Sequence, residues 1–106
     1  MNLLSPSMQK IRREQIRWHL MAIANVSRPY GINTPALLPV IQSVYMDATE
    51  HEIRRELDYL EERELVKIKR DPMDHWMVEL TRWGVDVVEY VVDCDPGVAR
   101  PRITQS

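Results

Sequence analysis

The sequence predicts a mainly α-helical domain that carries one β-hairpin, with elements in the order α-α-α-β-β-α. Apolar residues recur at helical spacing in several stretches, each introduced by a Ser or Thr that can cap a helix. Two short runs, Leu65–Lys69 and Trp76–Leu80, instead alternate apolar and polar residues around an Asp-Pro turn, which is typical of a hairpin. The length of 106 residues fits a single domain.

The first predicted helix runs from about Met8 to Asn25, with Ser7 as its N-cap and Pro6 as the break before it. Its apolar residues fall on two sides, and such a helix is usually buried on two sides. A third side carries a basic stripe, which is more readily interpreted as solvated surface than as a binding site. This stripe consists of Lys10, Arg13 and Arg17.

Thr34 and Pro35 predict the N-cap and the first position of a second helix. Pro39 should either kink its first turn or move the helix start toward itself. Thr49 and Glu52 form a capping box for a third helix, joined to the second by a short connection typical of helix–turn–helix motifs. The apolar stripe of this third helix consists of Ile53, Leu57 and Leu60.

In the hairpin, alternation places Val66 and Ile68 on the core side and Lys67 and Lys69 on the solvent side. On the returning strand, the core side consists of Trp76, Val78 and Leu80. Thr81 then caps a last helix over "TRWGVDVVEYVVD", although its valines favour a strand by propensity. Residues 1–95 are predicted to form the domain, and residues 96–106 an extended tail.

Three helices followed by a hairpin are the element order of a winged helix–turn–helix domain. The stretch "IRRELDYLEERELVKIKRD" resembles the third helix and first wing strand of ArsR-like winged-helix regulators, with Glu64 where that group commonly has glycine. The stretches "LTRWGVDV" and "PGVARP" resemble small winged-helix proteins of Mu-like bacteriophages and prophages. The resemblance extends roughly from Asn33 to Arg102, and it implies a phage or prophage protein in the cytoplasm of a bacterial host.

Composition argues against several classes of function. The net charge of -2 is unlike that of a strongly basic nucleic-acid binder, so any phosphate contact must come from local clusters. The single Cys94 cannot form an internal disulfide, which fits a reducing cytoplasm. Its distance in sequence from the three histidines argues against a metal site, and no cofactor is expected. No phosphate loop, nucleophile elbow or membrane-length apolar run is present, so neither an enzyme nor a membrane protein is predicted.

The leading functional prediction is binding to double-stranded DNA, as in a transcriptional regulator. The third helix would face the major groove with His51, Arg54 and Arg55. The wing would contact backbone phosphate with Lys67, Lys69 and Arg70. Carboxylates on both elements oppose this interpretation, namely Asp58, Glu62, Asp71 and Asp74. A solvated helix face and an ordinary exposed strand explain the same residues as well.

A homodimer is also predicted, because the first and last helices are apolar on two sides and form the dimer interface in ArsR-like domains. The expected interface residues are Ile16, Leu20, Ile23, Trp83, Val87, Tyr90 and Val91. The alternative is that both apolar sides are covered within one chain. The competing class of function is a protein–protein adaptor, or a phage structural or accessory protein, that uses the fold without binding DNA.

Overall fold

The computed structural model describes residues 4–103. Its elements are α1 Pro6–Val26, β1 Ile32–Asn33, α2 Thr34–Gln42, α3 Glu50–Glu62, β2 Val66–Arg70, β3 Trp76–Leu80 and α4 Arg82–Val88. Within these residues the fold is mixed α/β, with four helices and a small antiparallel sheet. This architecture is compatible with a winged-helix arrangement. None of the described helices is long and apolar enough to cross a membrane.

The sheet has the strand order β1-β3-β2, so the returning hairpin strand lies in the centre. The hairpin pairs from Val66 opposite Leu80 to Arg70 opposite Trp76, which places the turn at the predicted Asp-Pro pair. Strand β1 was not predicted. It is only two residues long, with Ile32 opposite Val78, and so short a strand shows no alternation that sequence reasoning could detect.

The predicted start of α1 was wrong. Ser5, not Ser7, is the N-cap, and its Oγ accepts a hydrogen bond from the backbone N–H of Met8 at 3.2 Å. Pro6 is the first residue of the helix, although it was predicted to precede the helix. Proline suits this position because its fixed φ is helical and its missing N–H has no partner in the first turn.

The N-cap of the second helix also lies one residue earlier than predicted. The Asn33 side chain accepts a hydrogen bond from the N–H of Ala36 at 2.9 Å, so Asn33 is the N-cap. Thr34 is fully buried and donates its hydroxyl to Glu50 at 2.9 Å. Pro39 lies inside the helix, which continues past it to Gln42. The missing N–H of Pro39 removes one helical hydrogen bond without ending the helix there.

Half of the predicted capping box of α3 is present. Thr49 accepts a hydrogen bond from the N–H of Glu52 at 3.1 Å. The Glu52 carboxylate binds the guanidinium of Arg12 on α1 with two hydrogen bonds, at 2.9 and 2.8 Å. The side chain that would have completed the cap thus joins α3 to α1.

The core lies between α1, α2, α3 and the inner face of the sheet, and α4 closes it. Its fully buried apolar side chains come from every layer, and they are Ile16, Leu20, Met21, Leu37, Ile41, Ile53, Leu57, Leu60, Val78 and Val87. The predicted stripe of α3 and the predicted core position of Val78 are therefore confirmed.

The last helix is shorter than predicted. It ends at Val88, and Tyr90 has a φ of 62°, in the left-handed region that stops a helix. We call residues 89–103 the C-terminal segment; it contains no helix or strand as far as it is described. Arg100 donates to the carbonyls of Val87 and Val92 at 3.0 and 2.9 Å, so it joins the C-terminal segment to the last turn of α4.

The C-terminal segment turns back onto α1. The N–H of Ala99 donates to the carbonyl of Glu14 at 3.1 Å. Gly97 has a φ of 116°, and a side chain there would collide with the hydroxyl of Tyr59. Within the predicted extended tail of residues 96–106, Gly97, Val98 and Arg100 are half-buried, Arg102 and Ile103 are exposed, and residues 104–106 lie outside the described residues.

Candidate nucleic-acid interface

The outward face of α3 carries two of the predicted groove-facing residues in exposed positions. His51 is exposed, and the Arg55 side chain is 60% exposed. Arg55 makes one long contact, from its Nε to the carboxylate of Glu56 at 3.4 Å. Both side chains are therefore available to a ligand that approaches the first turns of α3.

Arg54, the third predicted residue of this helix, is held by the hairpin turn. Its Nη1 donates to both carboxylate oxygens of Asp74, at 3.0 and 2.9 Å, and its Nη2 donates to the carbonyl of Asp74 at 2.7 Å. Its guanidinium lies 4.7 Å from the ring centre of Trp76, and Glu50 adds an ion pair at 3.2 Å. The Nε of Arg54 is buried and has no hydrogen-bond partner among the described residues.

Arg70, predicted to contact DNA from the wing, is held by α3. Its Nη2 lies 3.0 Å from both Asp58 and Glu61, and its guanidinium lies 4.2 Å from the ring centre of Trp76. The hydrogen bonds that Arg70 donates to Glu61, with the charges of Glu61 and Asp58, raise the pKa of Arg70. Arg70 is therefore engaged within the chain.

These contacts form a crossed arrangement, in which a cation of α3 meets an anion of the hairpin and a cation of the hairpin meets anions of α3. We call it the helix–hairpin latch; it consists of Arg54, Asp58, Glu61, Arg70, Asp74 and Trp76. Exposed ion pairs contribute little singly, but pairs that share an aromatic surface restrain one another. The latch holds the hairpin against α3 and also neutralises Asp58 and Asp74, two of the carboxylates expected to repel phosphate.

The lysines of β2 face solvent, as predicted. Val66 is buried on the inner side of the strand, whereas Lys67 and Lys69 are exposed on the outer side. The Nζ of Lys69 lies 3.9 Å from the carboxylate of Glu79, and the Lys69 side chain is 75% exposed. Both ammonium groups can therefore reach an external anion.

The hairpin turn is closed by Asp71. Its Oδ1 accepts hydrogen bonds from the N–H groups of Met73 and His75, at 2.9 and 3.0 Å. These backbone donors, that of His75 foremost, lower the pKa of Asp71. Asp71 therefore acts as a turn-forming residue, which is a common role of Asp in this position.

The basic stripe predicted on α1 does not form one surface. Arg17 has a side chain that is only 12% exposed, and it pairs with Glu56 of α3 at 2.9 Å. Glu56 was not singled out from the sequence, yet it lies three residues after Ile53 and four before Leu60, within the apolar stripe. That spacing was the available signal for a buried carboxylate. Lys10 is exposed and Arg13 is half-buried.

Three of the predicted dimer residues belong to the core of the single chain. Ile16, Leu20 and Val87 are 0%, 1% and 2% exposed, so they are not available to a second copy. The second apolar side of α1 is therefore covered largely within the chain. Ile23 is half-buried against the core, and Tyr90 is half-buried against Trp18.

Two predicted dimer residues remain on the surface. Trp83 is 47% exposed and Val91 is 66% exposed. The homodimer stays a prediction, and it now rests on these two side chains.

Within residues 4–103, no group of three or more His, Cys, Asp or Glu side chains is placed to hold a metal ion. Cys94 is half-buried in the C-terminal segment, and burial raises the pKa of its thiol.

The sequence was also compared with known proteins. Neither a scan against protein-family models nor a search of curated proteins found a match to this chain. The resemblance to winged-helix proteins of Mu-like phages therefore stays a prediction from the residues that carry it.

Proposed function

We propose that this chain is a winged-helix protein that binds double-stranded DNA, as a transcriptional regulator of phage or prophage origin in a bacterial cytoplasm. The observation that carries the proposal is the helix–hairpin latch, which holds the hairpin beside α3 as one surface. A winged-helix reader uses these same two elements, with the helix in the major groove and the wing on the backbone.

The proposal assigns different roles to the predicted contact residues. Arg55 and His51 are exposed on α3 and would reach the major groove. Lys67 and Lys69 are exposed on β2 and would meet phosphates. Arg70 is engaged by two carboxylates of α3, so its role is to position the hairpin.

The test is binding to a random-sequence DNA duplex, followed by fluorescence anisotropy over a range of salt concentrations. Lys67→Ala combined with Lys69→Ala should weaken binding and flatten the salt dependence, by about 0.9 in the log–log slope for each phosphate that is no longer neutralised. Lys10→Ala is the matched control, since Lys10 is an exposed lysine of α1. Absence of binding at low salt, or an equal effect of Lys10→Ala, would contradict the proposal.

A second candidate is a protein–protein adaptor, and the C-terminal half of α3 favours it. Asp58 and Glu61 share the single cation of Arg70, and Glu62 is exposed, so this part of the helix keeps a negative charge that suits a basic protein surface. The same titration separates the two candidates, because an adaptor of this kind would not bind duplex DNA at low salt.

A further inference from the structure

The contact between Arg54 and Asp74 is a pairing that nucleic acid could replace. We propose that Asp74 is an intramolecular competitor for DNA, which occupies Arg54 until a phosphate or a base edge takes its place. The inference rests on the DNA-binding function proposed above, and it identifies a residue that regulates that binding. Its consequence is that Asp74 sets how tightly the surface binds DNA.

Asp74 accepts hydrogen bonds from Arg54 as an external anion would. The Asp74 carboxylate takes both of its hydrogen bonds from one guanidinium nitrogen of Arg54, and the Asp74 carbonyl takes a third from the other. Charge-assisted hydrogen bonds of this kind are also what a guanidinium offers to phosphate. The Asp74 side chain is 77% exposed, so the acceptor in use lies where solvent and a DNA backbone can reach it.

The hydrogen bonding of Arg54 in its pair with Asp74 is also incomplete. Its Nε is buried and has no partner among the described residues, although the two Nη groups are engaged. A buried donor without a partner disfavours the conformation that contains it. Because the Asp74 side chain is exposed, this ion pair is weak in water and can be exchanged, while the ion pairs of Arg70 with Asp58 and Glu61 keep the hairpin beside α3.

Asp74→Asn is the variant that isolates the charge. Asp74 has a φ of 62°, and Asn is among the few residues that tolerate this left-handed conformation, so the turn should be preserved. The variant should bind the random duplex about fivefold more tightly at low salt. Its log–log salt slope should steepen by about 0.9, the contribution of one additional phosphate contact.

Asp71→Asn is the matched control. It removes the same charge from the same turn, and an Asn oxygen can still accept the hydrogen bonds from Met73 and His75. The guanidinium of Arg54 bonds to Asp74 and not to Asp71 among the described residues. If both variants tighten binding equally, the gain comes from the charge of the turn alone, and the competitor role is overturned.

Arg54→Gln completes a double-mutant cycle with Asp74→Asn. It removes the guanidinium for which Asp74 and DNA would compete, so it should weaken binding by the unmodified protein and abolish the gain produced by Asp74→Asn. Binding by the unmodified protein without extra gain from Asp74→Asn would overturn the inference and leave the proposed function standing. Binding only by Asp74→Asn would support it, whereas no binding by any of these proteins would overturn both proposals. Thermal unfolding of each variant checks that the fold is retained.

Discussion

Arg17 on α1 donates from its Nε to the carboxylate of Glu56 on α3 at 2.9 Å, and the Glu56 side chain is only 1% exposed. The same guanidinium donates to the carbonyl of Gly97 and lies 3.5 Å from the ring centre of Tyr59. One side chain thus connects α1, α3 and the C-terminal segment. Its role is structural, although the sequence placed it in a basic stripe.

Replacement of Arg17 by Met should lower the free energy of unfolding by about 3–5 kcal/mol, because among the described residues it leaves the buried Glu56 carboxylate only the long contact to Arg55. Urea denaturation gives this quantity directly. The double variant Arg17→Met with Glu56→Leu should regain most of this stability, since it removes the buried charge as well. Arg13→Met is the control, because Arg13 forms no ion pair among the described residues. An effect of Arg17→Met no larger than that of Arg13→Met would contradict a structural role.

The C-terminus of α3 offers a stabilising substitution. Glu64 has a φ of 62°, and the N–H groups of Glu64 and Leu65 bond to the carbonyls of Glu61 and Leu60, which is the Schellman pattern. Glu64→Gly should raise the free energy of unfolding by about 0.5–1 kcal/mol, because glycine adopts this conformation without steric cost. Glu64→Ala is the control and should not stabilise, since alanine keeps the strain. Equal effects of the two substitutions in chemical denaturation would contradict this explanation.

Gly84 in α4 is required by a close approach of backbone. A Cβ at this position would collide with the carbonyl oxygen of Leu65, which also accepts a hydrogen bond from Thr81. Gly84→Ala should therefore destabilise the protein by about 1–3 kcal/mol, despite the better helix propensity of alanine.

Gly31→Ala is the comparison for that measurement. A Cβ at Gly31 would come within 2.9 Å of the side chain of Met77, which is flexible and can move. The midpoint of thermal unfolding should fall clearly for Gly84→Ala and little for Gly31→Ala. The opposite order would show that the contact with Leu65 relaxes easily.

Cys94 should react slowly with alkylating reagents. Burial raises the pKa of its thiol above the ordinary value of 9.0, so less thiolate is present at pH 8 than in the unfolded chain. The measurement is the rate of iodoacetamide modification, with and without denaturant. The native thiol also holds its proton more tightly than the unfolded one, so this group's contribution to stability is lost as pH rises above 9.0.

A relocated thiol provides the control for the alkylation experiment. Cys94→Ser combined with Val91→Cys places the single cysteine at a position where the native side chain is 66% exposed. This variant should react at nearly the same rate in native and denatured protein. Equally fast modification of native Cys94 would contradict protection by burial.

Sequence reasoning succeeded where a local pattern determines the structure. The alternation of Trp76–Leu80 predicted the bounds of β3, and the spacing of Ile53, Leu57 and Leu60 predicted the buried side of α3. Both signals arise because side chains of one element must face the same core. The same reasoning missed β1 and overextended α4, since a two-residue strand has no period and the left-handed Tyr90 has no signature in its own residue type.

The candidate site was harder to predict, because its chemistry depends on which residues meet across elements. Arg54 and Asp74 are separated by 20 residues, and periodicity places each on a face without naming its partner. Exposure of Lys67 and Lys69 followed from alternation alone. The ion pairs of Arg54 and Arg70 could not be predicted in this way, because they depend on how close the hairpin lies to α3.

The hydrogen bond from Arg17 to Gly97 also bears on the order of folding steps, since it joins residues that are 80 positions apart. Closing a loop of that length costs more entropy than forming a helix turn or a hairpin, so such contacts form after the local ones. We therefore expect the C-terminal segment to dock late in folding. Opening of the segment would break the hydrogen bond from Arg17 to Gly97 but would leave the ion pair between Arg17 and Glu56 in place.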